Sequence, residues 1–270
     1  MAALSGFEKI TPAMLVVLAL FCAPSQAQPA GRVVTLPAEI RAYQEAVLTA
    51  KVAGYLKTLR VDKGDRVRAG DLIADIEVPE LVADRAQYQA QADVTRANFN
   101  RMQQAIEKAP DLVTPEMVDE ARGKAQVAQA QLDRVNTLLR YARITAPFSG
   151  TITARYADPG AFIPVPSGSD QKSAAVVSLM NFSRVRVQIA VPETEAQAIG
   201  KGTQATITVQ SLAGKAFQAT VTRVSYALER STKTMLAEIE MENPGELLRP
   251  GMYATVQLRI RNGAGDARAP

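Results

Sequence analysis

A chain of 270 residues can hold two or three small domains, and its 47% hydrophobic content is that of a globular protein; aromatics are scarce, 5% with no Trp, which points to helices packed through Ala, Leu and Val. The formal charge of +4 is dispersed, and no basic patch is interleaved with aromatics, so a nucleic-acid partner is excluded. No His occurs and Cys22 is the only Cys, which removes His-based acid–base chemistry, the commonest metal ligand, any intrachain disulfide and any thiolate metal site.

The N-terminus has the form of an export signal. Met14 to Ala23 is an apolar run of about ten residues, too short to span a bilayer, and Ser25-Gln26-Ala27 offers small residues for a signal peptidase. Cleavage after Ala27 is expected, making 1–27 a signal peptide and the periplasm the destination. Phe21 is too bulky for a lipid anchor at Cys22, so the mature chain is expected to lack cysteine, which suits an oxidising compartment.

Arg32–Leu36 and Glu45–Thr49 are predicted strands and lead into a motif that occurs twice. The first copy is Ala50-Lys51-Val52-Ala53-Gly54-Tyr55-Leu56 with Val61-Asp62-Lys63-Gly64-Asp65-Arg66-Val67; the second is Ala146-Pro147-Phe148-Ser149-Gly150-Thr151-Ile152 with Ala157-Asp158-Pro159-Gly160-Ala161-Phe162-Ile163. Ala50/Ala146, Gly54/Gly150, Leu56/Ile152, Asp62/Asp158, Gly64/Gly160 and Val67/Ile163 align at one constant offset without a gap. A half-unit duplicated around a long insertion predicts one domain assembled from two distant segments. Asp158-Pro159-Gly160 suits a type II turn, with Lys63-Gly64 at the same places in the first copy.

The insertion is helical. Leu81, Arg85, Tyr88, Ala92, Thr95, Phe99, Met102 and Ile106 recur in steps of four and three between Pro79 and Lys108. Val118, Ala121, Ala125, Ala128, Leu132, Val135, Leu139 and Ala142 do so between Pro115 and Arg143. Sustained heptad spacing predicts a coiled-coil seam, and two runs of similar length joined by a short link predict an antiparallel hairpin about 43 Å long. Pro110 ends the first helix; Thr114 is the expected N-cap of the second, with Pro115 at its first position and Glu116 in its first turn. Leu112 and Val113 at this tip either fold back onto Ile106 and Met117 or are covered by something else. Gly123 costs about 1 kcal/mol inside a helix and marks either a close contact or nothing.

From about Ala174 the pattern turns to β. Arg184–Val191, Ala205–Val209, Ala219–Val224, Ala237–Met241 and Ala254–Ile260 alternate polar and apolar residues, which predicts a small antiparallel barrel or sandwich; Pro192–Ile199 holds one short helix, and 262–270 is an expected disordered tail.

The order of strand, half-repeat, helical hairpin, half-repeat and barrel resembles the periplasmic adaptor subunits, or membrane fusion proteins, of tripartite efflux pumps of the resistance-nodulation-division type. The local markers are Val52–Leu56, Val61–Val67, Ala69-Gly70-Asp71-Leu72-Ile73, Ile144–Gly150 and Leu248-Arg249-Pro250-Gly251-Met252. The resemblance implies an elongated, multidomain α+β chain: a split lipoyl-like β-sandwich over 49–78 and 144–180, a hairpin inserted at 79–143, and a β-barrel over 181–261 that includes strands from 32–48. Gly54, Gly64, Gly70, Gly150 and Gly160 become structural turn glycines of the lipoyl fold, and Pro250-Gly251 a barrel turn. The tip, through Arg101, Ala105, Ile106, Leu112, Val113 and Thr114, would meet an outer-membrane channel, although Arg101 also reads as a solvated helix charge. Sandwich and barrel would meet an inner-membrane transporter and further copies in a ring. No catalytic residue, cofactor or metal site is implied, and the membrane-proximal domain of relatives is missing, either naturally or by truncation.

The same resemblance implies a non-catalytic adaptor for export of drugs or other small toxic compounds. An adaptor for an ABC-type efflux pump remains an alternative, whereas type I secretion adaptors usually keep an uncleaved membrane helix and a much longer helical region. A biotinyl or lipoyl carrier shares the duplicated half-motif, but Val78-Pro79-Glu80 and the hairpin occupy the turn where such carriers present a modifiable Lys. Acidic pairs such as Asp62/Asp65 and Asp119/Glu120 read as turn and helix charges rather than acid–base dyads.

Overall fold

A computed structural model describes residues 31–165 and 173–260; the expected signal peptide with Cys22 and the expected tail at 262–270 lie outside the described residues. The first half-repeat forms β1 (Arg32–Thr49), β2 (Gly54–Leu59), β3 (Arg66–Val67) and β4 (Leu72–Glu77). Helices α1 (Pro79–Lys108) and α2 (Pro115–Tyr141) follow. The second half supplies β5 (Arg143–Thr145), β6 (Gly150–Arg155), β7 (Phe162–Ile163) and β8 (Ala175–Pro192). The remainder is α3 (Glu193–Ala196), β9 (Gln204–Val209), β10 (Ala216–Thr220), β11 (Arg223–Glu229), β12 (Thr234–Glu242) and β13 (Tyr253–Ile260).

The duplication folds as two sheets that exchange strands. One sheet runs β5-β4-β2-β7; the other places β8 between β1 and β6, with β3 outside β6. Each sheet thus takes its two inner strands from one half of the chain and its two outer strands from the other. The pairing repeats at the offset of the motif: Gly54 faces Ile163 as Gly150 faces Val67, and Leu56 N donates to Ala161 O at 2.8 Å as Ile152 N donates to Asp65 O at 2.9 Å. Between the sheets Leu56, Val67, Ile73, Ile76, Ile144, Ile152, Ile163 and Leu179 form one buried core.

The turns follow from residue type. Gly64 and Gly160 hold φ of +95° and +91°, with Asp65 N on Asp62 O at 3.1 Å and Ala161 N on Asp158 O at 3.0 Å, the bond pattern of a type II turn. Gly54 and Gly150 are not turn residues, contrary to expectation. Each opens a strand, and a Cβ there would lie 2.4 Å from the carbonyl oxygen of Glu77 or of Met180, so their role is to let two strands approach. Gly70 sits in a turn, φ +89°, and Pro250-Gly251 make the barrel turn that docks on β1, Gly251 N reaching Ile40 O at 2.8 Å.

The two N-terminal strands expected from sequence are one. β1 runs unbroken for 18 residues because Leu36, Ala38, Ile40 and Ala42 are buried on alternate positions between the two predicted segments. Pro37 is tolerated where β1 pairs with β13 alone. β8 is likewise 18 residues long and antiparallel to β1. Both strands pass from the sandwich core into a second core, so the expected boundaries near 48 and 180 fall inside strands. The hairpin ends earlier than expected, at Tyr141, because Arg143 already pairs with Asp75.

That second core is a barrel. Its strand order is β10-β9-β13-β1-β8-β12-β11, and only Val221 and Thr222 separate the two end strands. Gly202 N donates to Val221 O at 2.8 Å and Thr222 N to Glu238 O at 2.8 Å, so the stretch passes from β9 to β12 and closes the sheet. Ile40, Ile189, Ile207, Ile239, Leu248 and Leu258 are fully buried inside, each worth about 1.5–3 kcal/mol.

Gly150→Ala is expected to destabilise the protein by roughly 3 kcal/mol or more, because the clash is with backbone. A Cβ at Gly123 meets nothing within 4 Å, so Gly123→Ala is expected to stabilise by about 1 kcal/mol. Urea denaturation of the two variants checks both signs.

Candidate functional site

Among the described residues no group of three or more His, Cys, Asp or Glu is placed to hold a metal ion. The acidic pairs have local partners. Asp65 Oδ2 accepts Asp62 N at 2.7 Å, and Arg155 pairs with Asp62 and with Asp158, whose hydrogen bond raises the arginine pKa. On α2, Asp119 pairs with Arg122 and Glu120 with Lys124; the Lys124 hydrogen bond lowers the Glu120 pKa, a stabilisation present at neutral pH and lost as acid protonates the carboxylate. One cleft, about 1410 Å³, is an open groove at the barrel mouth bordered by Gly31, Val33, Tyr226 and Arg259. The helical hairpin, inserted where the two halves of the sandwich meet, is the candidate site.

Its base is set by the sandwich. β4 and β5 are neighbours, Ala74 opposite Ile144, and Ile76 N donates to Ala142 O at 2.8 Å; α1 and α2 therefore leave from adjacent strands. Lys51 lies 4.7 Å from the Tyr141 ring centroid at this base. The helices pack antiparallel: Tyr88, Ala92, Ala128 and Leu132 cluster, Arg96 donates to Gln129, and Arg122 covers the Phe99 ring at 5.6 Å. Val118, Ala121, Ala128, Leu132 and Val135 are buried on α2, but only Ala92 on α1. Arg85, placed in the seam by its spacing, is exposed, as a long cation that reaches water must be.

The tip residues divide. Ala109 caps α1, and Thr114 Oγ1 accepts Met117 N at 3.4 Å as the N-cap of α2, with Pro115 following. Val113 is buried while Leu112 is 80% exposed, so one of the two turns inward and the other projects. Ala105 and Ile106 are half-buried; Arg101 is exposed, about 10 Å back along the helix from Lys108. The structure thus brings Leu112 and Thr114 together at the end and leaves Arg101 two turns below them.

Two surface features escaped the sequence. Tyr55 and Phe162 form an exposed edge-on aromatic pair, centroids 5.4 Å apart, across β2 and β7. Strand alternation after Gly54 would have turned Tyr55 outward, but only the pairing of the halves shows its partner. Arg66 of the sandwich reaches Glu246 of the barrel at 2.7 Å, a contact between residues so distant in the chain that no local pattern signals it.

No described helix is long and apolar enough to cross a membrane. Residues 44–178 match the model of the RND MFP barrel-sandwich hybrid domain, and residues 184–262 that of the CusB-like beta-barrel domain. The nickel-cobalt-cadmium resistance protein NccB of Alcaligenes xylosoxydans xylosoxydans is 29% identical over 91% of this chain, and the nickel and cobalt resistance protein CnrB of Cupriavidus metallidurans 27% over 97%. The chain spans 62% and 66% of the lengths of these two relatives. A crystallised MacA–MexA chimera carrying the Pseudomonas aeruginosa MexA alpha-hairpin has the same fold, with a TM-score of 0.76 at 24% identity over 85% of this chain and 81% of that one.

Because Leu112 contributes nothing to the interior, Leu112→Ser is expected to change stability by no more than about 0.5 kcal/mol. Val113→Ser buries an unpartnered hydroxyl and is expected to cost about 1–3 kcal/mol. Thermal unfolding of the two neighbours tests the division of the tip.

Proposed function

This chain belongs to the RND membrane fusion proteins, and from that premise we propose that it is a non-catalytic periplasmic adaptor joining an inner-membrane efflux transporter to an outer-membrane channel. The observation that carries this is an exposed leucine at the end of a helix pair whose base is clamped by the split sandwich. Leu112 is a large apolar side chain that none of the described residues covers, at the far end of a spacer about 45 Å long. The heptad spacing of the buried positions supports a coiled-coil seam that keeps the spacer stiff.

In this reading the protein works by geometry rather than chemistry. The hairpin spans distance, Leu112 and Thr114 meet the channel, and Arg101 adds a charged contact further down. Sandwich and barrel meet the transporter and further copies of the chain in a closed ring, and export to the periplasm proceeds through the apolar N-terminal segment. The exported compound is a drug or another small toxic species. The two relatives are named for nickel, cobalt and cadmium resistance, which makes divalent metal ions a class to test alongside drugs.

The test uses cells carrying the transporter and channel. Leu112→Glu places a charge where an apolar contact is needed, and Arg101→Glu reverses a charge; each is expected to weaken channel binding at least about tenfold, about 1.4 kcal/mol, and to lower resistance at unchanged protein level. A disulfide from Leu112→Cys to a cysteine on the channel's periplasmic end reads the contact directly. Undiminished resistance with both variants, and no crosslink, would overturn the tip assignment.

A further inference from the structure

The junction between sandwich and barrel is a built joint. The β1–β8 ladder breaks there: Ala42 pairs with Val185 and Gln44 with Asn181, so Tyr43 alone faces Phe182, Ser183 and Arg184. Asn243, buried just beyond the end of β12, holds two carbonyls of the β8 stretch at this break. Its backbone N–H donates to Ser183 O at 2.9 Å and its Nδ2 to Phe182 O at 2.8 Å. The same side chain holds Leu248, donating to its carbonyl at 2.7 Å and accepting its N–H at 3.0 Å. Tyr43 lies under two guanidiniums, Arg184 at 5.0 Å and Arg186 at 5.3 Å from its ring centroid.

The segment that Asn243 pins is bent in an uncommon way. Gly245 has φ +72° and Glu246 φ +52°, a conformation few non-glycine residues adopt unless their surroundings impose it. The result is that Glu246 leaves the barrel and meets Arg66 on β3, an outer strand of the sandwich, at 2.7 Å. Among the described residues no other ion pair joins the two cores. The joint therefore has a hydrogen-bonded pivot centred on buried Asn243 and one exposed tie, Arg66 being 75% and Glu246 33% exposed. An exposed ion pair holds weakly and is screened by salt, whereas the pivot's buried hydrogen bonds are not.

We propose that Arg66 and Glu246 form an electrostatic latch that fixes the angle between sandwich and barrel, and that its release lets the two cores turn about the Tyr43–Asn243 pivot with both remaining folded. Ionic strength, or a competing charge brought to Arg66 by a partner, opens it. The device sets where the hairpin points relative to the barrel, independently of what the hairpin meets.

The test is a distance measurement in the full chain with Cys22→Ser. Thr145→Cys on the sandwich and Lys215→Cys on the barrel, both exposed in the native protein, carry spin labels for pulsed electron resonance. At low salt one narrow distribution is expected. At about 1 M salt, where charges are screened within roughly 3 Å, and in Glu246→Gln at either salt, the population outside that distribution is expected to rise by up to about fivefold, the most an exposed pair supplies. The double reversal Arg66→Glu with Glu246→Arg should restore the narrow distribution. If Glu246→Gln lowers the thermal midpoint by disturbing its strained bend, Arg66→Gln probes the same contact from the sandwich side. An unchanged distribution in the Gln variants, or a wild-type distribution already broad at low salt, overturns the latch.

Discussion

The sandwich closes because its two halves exchange outer strands. β2 and β4 from the first half are flanked by β7 and β5 from the second, while β6 and β8 from the second are flanked by β3 and β1 from the first. Neither half can complete a sheet, and the core between the sheets draws on both. Everything between the halves in sequence must then leave and return at one place. That place is the β4–β5 pair, and the chain between those strands is the hairpin. A domain built this way is a clamp: the base of α1 and α2 is held by the same hydrogen bonds that close the sandwich.

The constraint extends in the other direction through β1 and β8. Each runs 18 residues, long for a strand, because each has to serve two cores. The barrel is hung on this shared pair, with β13 and β12 on its two sides and β9, β10 and β11 closing the circuit. Where the strands cross between the cores the ladder is interrupted at Tyr43; Asn243 holds the β8 side of that break and Arg66 with Glu246 spans it. A helical hairpin on a clamped base, joined to a barrel through one hydrogen-bonded joint, fits the proposed role of a spacer. Its use of burial and backbone pairing rather than polar clusters fits a sequence without histidine.

Much of this was legible in the sequence because it is periodic. The constant offset between Gly54 and Gly150, or Gly64 and Gly160, survives as equivalent hydrogen bonds, and the heptads of α2 became its buried positions. What was not legible depends on partners from afar. Glycine at 54 and 150 looked like turn chemistry, but the reason for it is a carbonyl of another strand. β1 looked like two strands because Pro37 and the charged residues after it interrupt an alternation that burial completes. Leu112 and Val113 are alike in composition and adjacent in sequence, yet one is exposed and the other buried, since the short link between α1 and α2 turns only one of them inward. The tie between Arg66 and Glu246 needs the fold of both cores before it can exist.

The exchange of strands makes a specific demand on local stability. The amides of Leu56 and Ile152, equivalent in the two halves, donate to Ala161 and Asp65 of the opposite half. Native-state hydrogen exchange at these two positions measures whether the halves open together. Equal opening free energies, both matching global unfolding of the sandwich, are the result that an interlocked domain requires. A markedly lower opening energy at one of them, with the other still protected, would mean that one half folds without its counterpart and would contradict the account.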